Sequence, residues 1–323
     1  MTRITKTTSE VDRLTQQLAT QEKKVSDAFK LFILAVNDET VLKQINDLLD
    51  AGNIEAALDI VDTYLIRFSN VLNNVFSTVG EAESAVLASA IGSTAIGISF
   101  NPIDPQSVAV LQEARLNLIR ELTEKQRDST RQALVRAFQE GEGPRQTAAA
   151  FKNSIGLTAK QEQAVVNFRT LLETNDSRAL ERSIRDRRFD RTVERAISTS
   201  EPLKKTQVDK MVQRYRERFV LYRAEVIART EGVRATSMAR DQALRQTLDI
   251  TGIPKENVER TWVPVAGPRT RDAHASMRNQ KVGLDETFSD GDGNQLRYPG
   301  DPSAPIETTA QCRCVLTIKF KKQ

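Results

Sequence analysis

Apolar residues recur every three to four positions through this chain up to about residue 248, the spacing of amphipathic helices. Over residues 8–36, Val11, Leu14, Leu18, Val25, Phe29, Ile33 and Val36 share one face, and Asn37-Asp38 breaks the run. "ETVLKQINDLLDAGN" predicts a second helix ended by Gly52, and "IEAALDIVDTYLIRFSNVLNNVF" predicts a third. Breaks this short make sequential helices neighbours, so an antiparallel bundle is expected. After "NPIDP", a long helix is expected over Gln106–Glu140. Its apolar face runs through Leu111, Ala114, Leu118 and Leu122 and resumes at Leu134 and Phe138 after a polar stretch. "GEGP" ends it, and a shorter helix follows over Arg145–Asn153. In "SIGLTAKQEQAVVNFRTLLE", Gly156 reads as a C-cap, Thr158 as an N-cap and Gln161 as the partner in a capping box. The Arg-rich "SRALERSIRDRRFDRTVERAI" and the run beginning at Asp209 extend the helical pattern.

At "TGIPKEN", Thr251–Asn257, the pattern changes. Beyond it lie β-type runs, "VERTWVPV" and "CRCVLTIKF", and turn residues including Gly267, Pro268, Gly283, Gly291, Gly293, Pro299 and Gly300. Alternation of Val315, Thr317 and Lys319 with Leu316, Ile318 and Phe320 predicts a closing strand. The expected fold is mainly α, with elongated helical N-terminal and middle regions and a small α+β C-terminal module. The expected boundaries are 1–100 for a helical, partner-binding region, 101–251 for a helical body and 252–323 for the compact module, which a helix enters from about residue 220.

Composition agrees with long solvated helices, since 28% of residues are charged and 5% aromatic. The net charge of +4 hides an uneven distribution. Residues 177–240 hold 17 Lys and Arg against 9 Asp and Glu, a local +8. Such a segment implies either a solvated helical face or a polyanionic neighbour. Two cysteines in 323 residues exclude a disulfide-stapled scaffold and fit a reducing compartment. The first twenty residues lack the apolar core of a secretory signal. "AVLASAIGSTAIGISF", Ala85–Phe100, is too short for a membrane span of about 20 residues and reads as a tightly packed helix or a partner contact.

The chemistry-bearing residues cluster late. His274 is the only histidine, and Cys312 and Cys314 are the only cysteines. A C-x-C pair on a strand turns both thiols to one face, so His274, Cys312, Cys314 and a carboxylate such as Asp272 or Asp301 would suffice for zinc. The spacing is unusual for structural zinc. The favoured expectation is therefore no cofactor, with the thiols packed under Trp262 and His274 bonded to backbone. A Cys/His nucleophilic dyad lacks an orienting third residue. Within "IARTEGVRATSMARDQALRQ", Arg229 and Glu231 are two residues apart and each needs another partner, such as loop carbonyls or the guanidinium of Arg269 or Arg271. Arg182, Arg185, Arg187, Arg188, Arg191 and Arg195 alternate with acids at helical spacing, for example Glu181–Arg185 and Arg182–Asp186. A salt-bridged helix is the default, and salt-sensitive contact with nucleic acid backbone is the alternative. "FSDGDGNQLRYPGDP" has a misplaced glycine and no terminal Glu for a calcium loop, so turn chemistry is expected there. No P-loop, GxGxxG fingerprint or HExxH motif occurs.

Taken in order, Arg229-Thr230-Glu231, Trp262, "RTRDAH" with Arg269, Arg271, Asp272 and His274, "YPGDP" with Pro299, and "CRC" with Arg313 between its cysteines form one set. Over roughly residues 220–320 this resembles the Mu F-like minor head protein family of tailed bacteriophages, and 107–175 resembles it more loosely. Where that family often has Asn before C-R-C, this chain has Gln311. The resemblance implies a minor capsid protein for head morphogenesis, without enzymatic activity. It would be bound to the portal protein inside the head and assembled in the host cytoplasm. Further implied partners are double-stranded DNA, with possible exit alongside it, and the major capsid or scaffolding protein, with no membrane in the virion. The alternative function class is an enzyme acting on DNA or nucleotides through Arg229, Glu231, Arg271 and His274. An enzyme would collect these side chains around a cleft, whereas a structural protein would bond them to neighbours and loop backbone.

Overall fold

The computed structural model describes residues 4–92, 97–140, 144–265 and 270–321. It is mainly α, with small antiparallel sheets near the C-terminus. The helices before the basic segment are α1 (Ile4–Val36), α2 (Glu39–Asp50), α3 (Ile54–Ser69), α4 (Val71–Ala90), α5 (Pro105–Gln139), α6 (Pro144–Ser154) and α7 (Ala159–Glu173). Then come α8 (Asp190–Thr199) and the 47-residue α9 (Lys205–Thr251). The remainder holds β1 (Val258–Val263), α10 (Asp272–Ser276), β2 (Lys281–Val282), β3 (Phe288–Ser289), β4 (Gln295–Leu296), α11 (Ile306–Thr309) and β5 (Val315–Phe320). Among the described residues, no helix is long and apolar enough to cross a membrane.

Local chemistry sets these boundaries. Asp38 caps α2 by accepting the Thr40 N–H at 2.9 Å. Pro105 opens α5, where its missing N–H costs nothing, and Asp104 accepts from the Gln106 and Ser107 amides at 3.1 Å. Thr158 and Gln161 form the expected capping box of α7, and Gly156 takes the left-handed φ of 82° expected after α6. Gly252, at φ 67°, follows the end of α9 where the sequence pattern changes.

Two expectations need correction. The third helix is in fact two, α3 and α4, joined at Asn70. Asn70 keeps right-handed helical angles (φ −63°, ψ −18°), so apolar spacing passes through the break unaltered and cannot reveal it. The segment 177–189 is not a continuous helix but two 3-10 turns, Ser177–Glu181 and Arg187–Phe189. The carboxylates of Asp176 and Asp186 accept the N–H groups of Arg178 and Arg188, two residues on. This local bonding competes with the helical ladder. The pairs Glu181–Arg185 and Arg182–Asp186 therefore do not form; Arg185 bonds Asp190 and Arg188 bonds Asp186.

The chain folds into two compact units. One comprises Phe29–Phe68 and Ile119–Ala224, and the other comprises Met1–Ala28, Ser69–Leu118 and Glu225–Gln323. Both draw on 1–100 and 101–251, and only the second contains 252–323. In the first unit the core joins α7, α8 and the first part of α9 through residues such as Phe168, Leu172, Val193, Val212 and Tyr215. Phe168 and Tyr215 stack at 4.2 Å. One face of the polar stretch of α5, Gln126, Ser129 and Thr130, is buried here. Gln126 donates to the Ser154 carbonyl at 3.1 Å and accepts from Gly156 N at 2.9 Å, while Thr130 meets Ser154 Oγ at 2.8 Å. These bonds satisfy the frayed end of α6.

In the second unit, α1 and α9 cross closely at Gly232, where a Cβ would lie 3.3 Å from Glu22 Cα. Phe100, at the end of the apolar stretch Ala85–Phe100, lies over Gly80 of α4 in a position any Cβ would block. Residues 93–96 of that stretch lie outside the described residues. The main sheet has the order β2-β1-β5, all antiparallel, with Trp262 opposite Leu316 and Arg260 between Val282 and Ile318. β3 and β4 form a separate hairpin with Phe288 opposite Leu296.

Candidate functional site

The C-terminal module brings the three softest ligands together. His274 sits on the one-turn α10, while Cys312 and Cys314 lie in the extended segment leading into β5. All three are buried, at 2%, 2% and 5% exposure. His274 Nδ1 is 3.5 Å from Cys312 Sγ and 3.5 Å from Cys314 Sγ. The Cys314 amide donates to Cys312 Sγ at 3.4 Å. A hydrogen bond with Cys312, together with His274, draws the Cys314 thiol down to about 5 against the opposing effect of burial. The same bond and burial push Cys312 up. Trp262 packs edge-on against His274 at 5.9 Å and against Phe288 at 5.1 Å. His274 faces the thiols rather than backbone, and its Nε2 has no hydrogen-bond partner. Among the described residues, no carboxylate joins the three ligand atoms, which all lie within 4.8 Å of one another. Asp272 is exposed, and Asp301 accepts from Arg297 and Ser303.

The other motif residues tie loops to α9. Thr230 Oγ1 donates to Val226 O at 2.9 Å and accepts from Gln311 N at 3.2 Å, fixing the turn before the cysteines. Gln311 is held in the left-handed region at φ 56°, where Asn is more at ease. Buried Glu231 pairs with Arg234 at 3.0 Å rather than with Arg271, and Arg234 Nε donates to Gly300 O at 3.4 Å. Arg229 pairs with Glu225 at 3.6 Å. Arg271 donates to the carbonyls of Thr308 and Ala310, and Arg313 lies 3.8 Å from Glu22. Arg269 lies outside the described residues. In "YPGDP", Pro299 is buried and Gly300 takes φ 77° against α9, where a Cβ would meet Arg234 N at 3.1 Å. Asp301 is fully buried and accepts from Arg297 N and Nε and from Ser303 N and Oγ. Asp290 and Asn294 close a turn, Asp290 accepting from Asp292 N and Asn294 N.

Two residues central to this arrangement were not singled out from the sequence. Arg260, 2% exposed on β1, donates to the carbonyls of Gly283, Glu286 and Arg297 and lies over the Phe288 ring. Its signal was available: it occupies the inward register between Val258 and Trp262. Glu83 on α4 is 1% exposed and bonds Arg240 at 2.8 Å and Arg13 at 3.3 Å. Arg240 also donates to Leu316 O at 2.8 Å, which fastens β5 to α9. Burial opposes ionisation of Glu83, but Arg240 and then Arg13 hold its carboxyl below the ordinary range. No sequence spacing links residues 83 and 240.

The six candidate DNA-binding arginines have different environments. Arg182 and Arg185 are half-buried, with Arg185 bonded to Asp190 and to the Arg182 carbonyl. Arg188 is exposed but chelates Asp186. Arg187, Arg191 and Arg195 are exposed, and the last two are one turn apart on α8.

A small sheet-and-loop module is thus fastened to the C-terminal half of a long helix by buried Arg234, Arg240 and Thr230, and tied within itself by a thiol–imidazole cluster. This defines a helical protein carrying a compact, internally tied α+β appendage. Residues 187–317 match the family model described as Phage Mu protein F like protein, and this part of the chain is Mu F-like. The match covers roughly two fifths of the chain, reaching from the second 3-10 turn into β5. No curated protein and no solved structure matches the chain.

Proposed function

We propose that this protein is a minor head component of a tailed bacteriophage, bound at the portal inside the head and contacting packaged DNA. The Mu F-like match over 187–317 carries the reading. The bonding of the motif side chains supports it. Among the described residues, Arg229 pairs with Glu225, Glu231 with Arg234, Arg271 with loop carbonyls and His274 with thiols, each a contact that builds structure. Exposed Arg187, Arg191 and Arg195 supply a phosphate-facing surface, and their contacts would position DNA without reading its sequence. Quantitative mass spectrometry of purified procapsids tests the assignment. The expected result is copurification at a copy number far below that of the major capsid protein. Recovery only from the soluble fraction of infected cells, with none in heads, would overturn it.

A further inference from the structure

We propose that His274, Cys312 and Cys314 bind a zinc ion that ties α10 to the segment entering β5. Tetrahedral zinc with Zn–S near 2.3 Å and Zn–N near 2.0–2.1 Å requires sulfur and nitrogen about 3.5 Å apart. His274 Nδ1 is 3.5 Å from each sulfur. A simple thiol–imidazole hydrogen bond does not account for both contacts. Nδ1 offers one lone pair or one proton, and both sulfurs converge on it at equal distance. A single cation accepts a lone pair from all three buried atoms at once, and these atoms all lie within 4.8 Å of one another.

The surrounding backbone supplies a donor to one sulfur. The Cys314 amide points at Cys312 Sγ, an N–H···S contact that offsets negative charge on sulfur. The segment carrying the cysteines is fixed before any metal arrives, by Thr230 on Gln311 N and by Arg271 on the carbonyls of Thr308 and Ala310. The edge-on contact of Trp262 holds the imidazole from one side. The described residues supply three ligands, and a donor from outside them completes the tetrahedron. This places zinc in a role that joins residues 38 and 40 positions apart in sequence. It is independent of the head assignment, because binding is read on the isolated chain.

Full-length protein purified under reducing conditions, without an affinity tag that binds metal, should contain about one zinc per chain by elemental analysis and native mass spectrometry. Cobalt(II) added to chelator-treated protein should give the intense near-ultraviolet absorption of thiolate-to-cobalt charge transfer. Cys314→Ser and His274→Ala should each weaken zinc binding by about 100-fold or more, exceeding the usual cost of losing a residue behind a ligand. If a variant fails to fold, the cobalt spectrum of the unaltered chain still decides. A folded, reduced protein that is zinc-free, takes up no zinc and shows no cobalt–thiolate band overturns the proposal.

Discussion

Replacing Arg260 with Met removes the guanidinium that β1 sends to the loop carbonyls while keeping most of the side-chain volume. The guanidinium is 2% exposed and serves three carbonyls, those of Gly283, Glu286 and Arg297. Each carbonyl left unsatisfied costs about 1–3 kcal/mol. Two effects reduce the sum. Glu286 and Arg297 are exposed enough for water to replace the lost donor, and a buried cation no longer has to be desolvated, a burden visible in the lowered pKa of Arg260. The net loss expected is about 2–4 kcal/mol. Trp262 makes the assay specific, because the only tryptophan is fully buried two residues along the same strand. Its emission during urea titration reports unfolding of the module, and with a slope of about 2 kcal/mol per molar the midpoint should fall by roughly 1–2 M. Arg260→Lys should recover only part of this, since one ammonium cannot span three carbonyls. A midpoint for Arg260→Met within about 0.2 M of the parent would refute the idea that this arginine organises the loops.

Gly300→Ala should destabilise the module by about 2–4 kcal/mol, combining a left-handed φ of 77° with a Cβ 3.1 Å from Arg234 N. Gly293→Ala, with φ 85° but open space, should cost only about 1–2 kcal/mol, and equal losses in a thermal melt would discredit the close-approach argument. Glu83 has a folded pKa below its ordinary 4.5, so the stability it contributes is full above that value and declines as pH falls toward the lowered one. Glu83→Gln should flatten the acid limb of a stability–pH curve in that window, although Glu10, which burial raises, works in the opposite sense. Changing Arg187, Arg191 and Arg195 together to Glu should weaken duplex DNA binding and reduce its salt dependence, measured by fluorescence anisotropy at several salt concentrations. Unaltered affinity would return the segment to a solvated face.

Helix positions and caps were legible because they depend on neighbours in sequence. Thr158 and Gln161 are three residues apart, and Gly252 directly follows the helix it terminates. The Asx-capped turns at Asp176 and Asp186 are equally local, but arginine and alanine suit a helix well, and periodicity masked them. Arg229, Glu231 and Arg271 were recognisable as a set, and the partners Glu225 and Arg234 lie at helical spacing from the first two, whereas the contacts of Arg271 with Thr308, Arg234 with Gly300 and Arg240 with Glu83 depend on chain crossings. The sequence offered His274 and both cysteines as candidate zinc ligands within one small module, with a metal-free arrangement favoured. That Nδ1 faces both thiols, instead of backbone, could be read only from the structure.

The central claim is that this is a portal-associated head protein whose C-terminal motifs build structure. Cryo-electron microscopy of the assembled head, reconstructed without imposed icosahedral symmetry, tests it most directly. The expected result is density for α9 and the β2-β1-β5 sheet inside the shell beside the portal vertex, with Arg187, Arg191 and Arg195 turned toward DNA. Heads that contain the protein distributed over the outer shell, or lack it altogether, would contradict it.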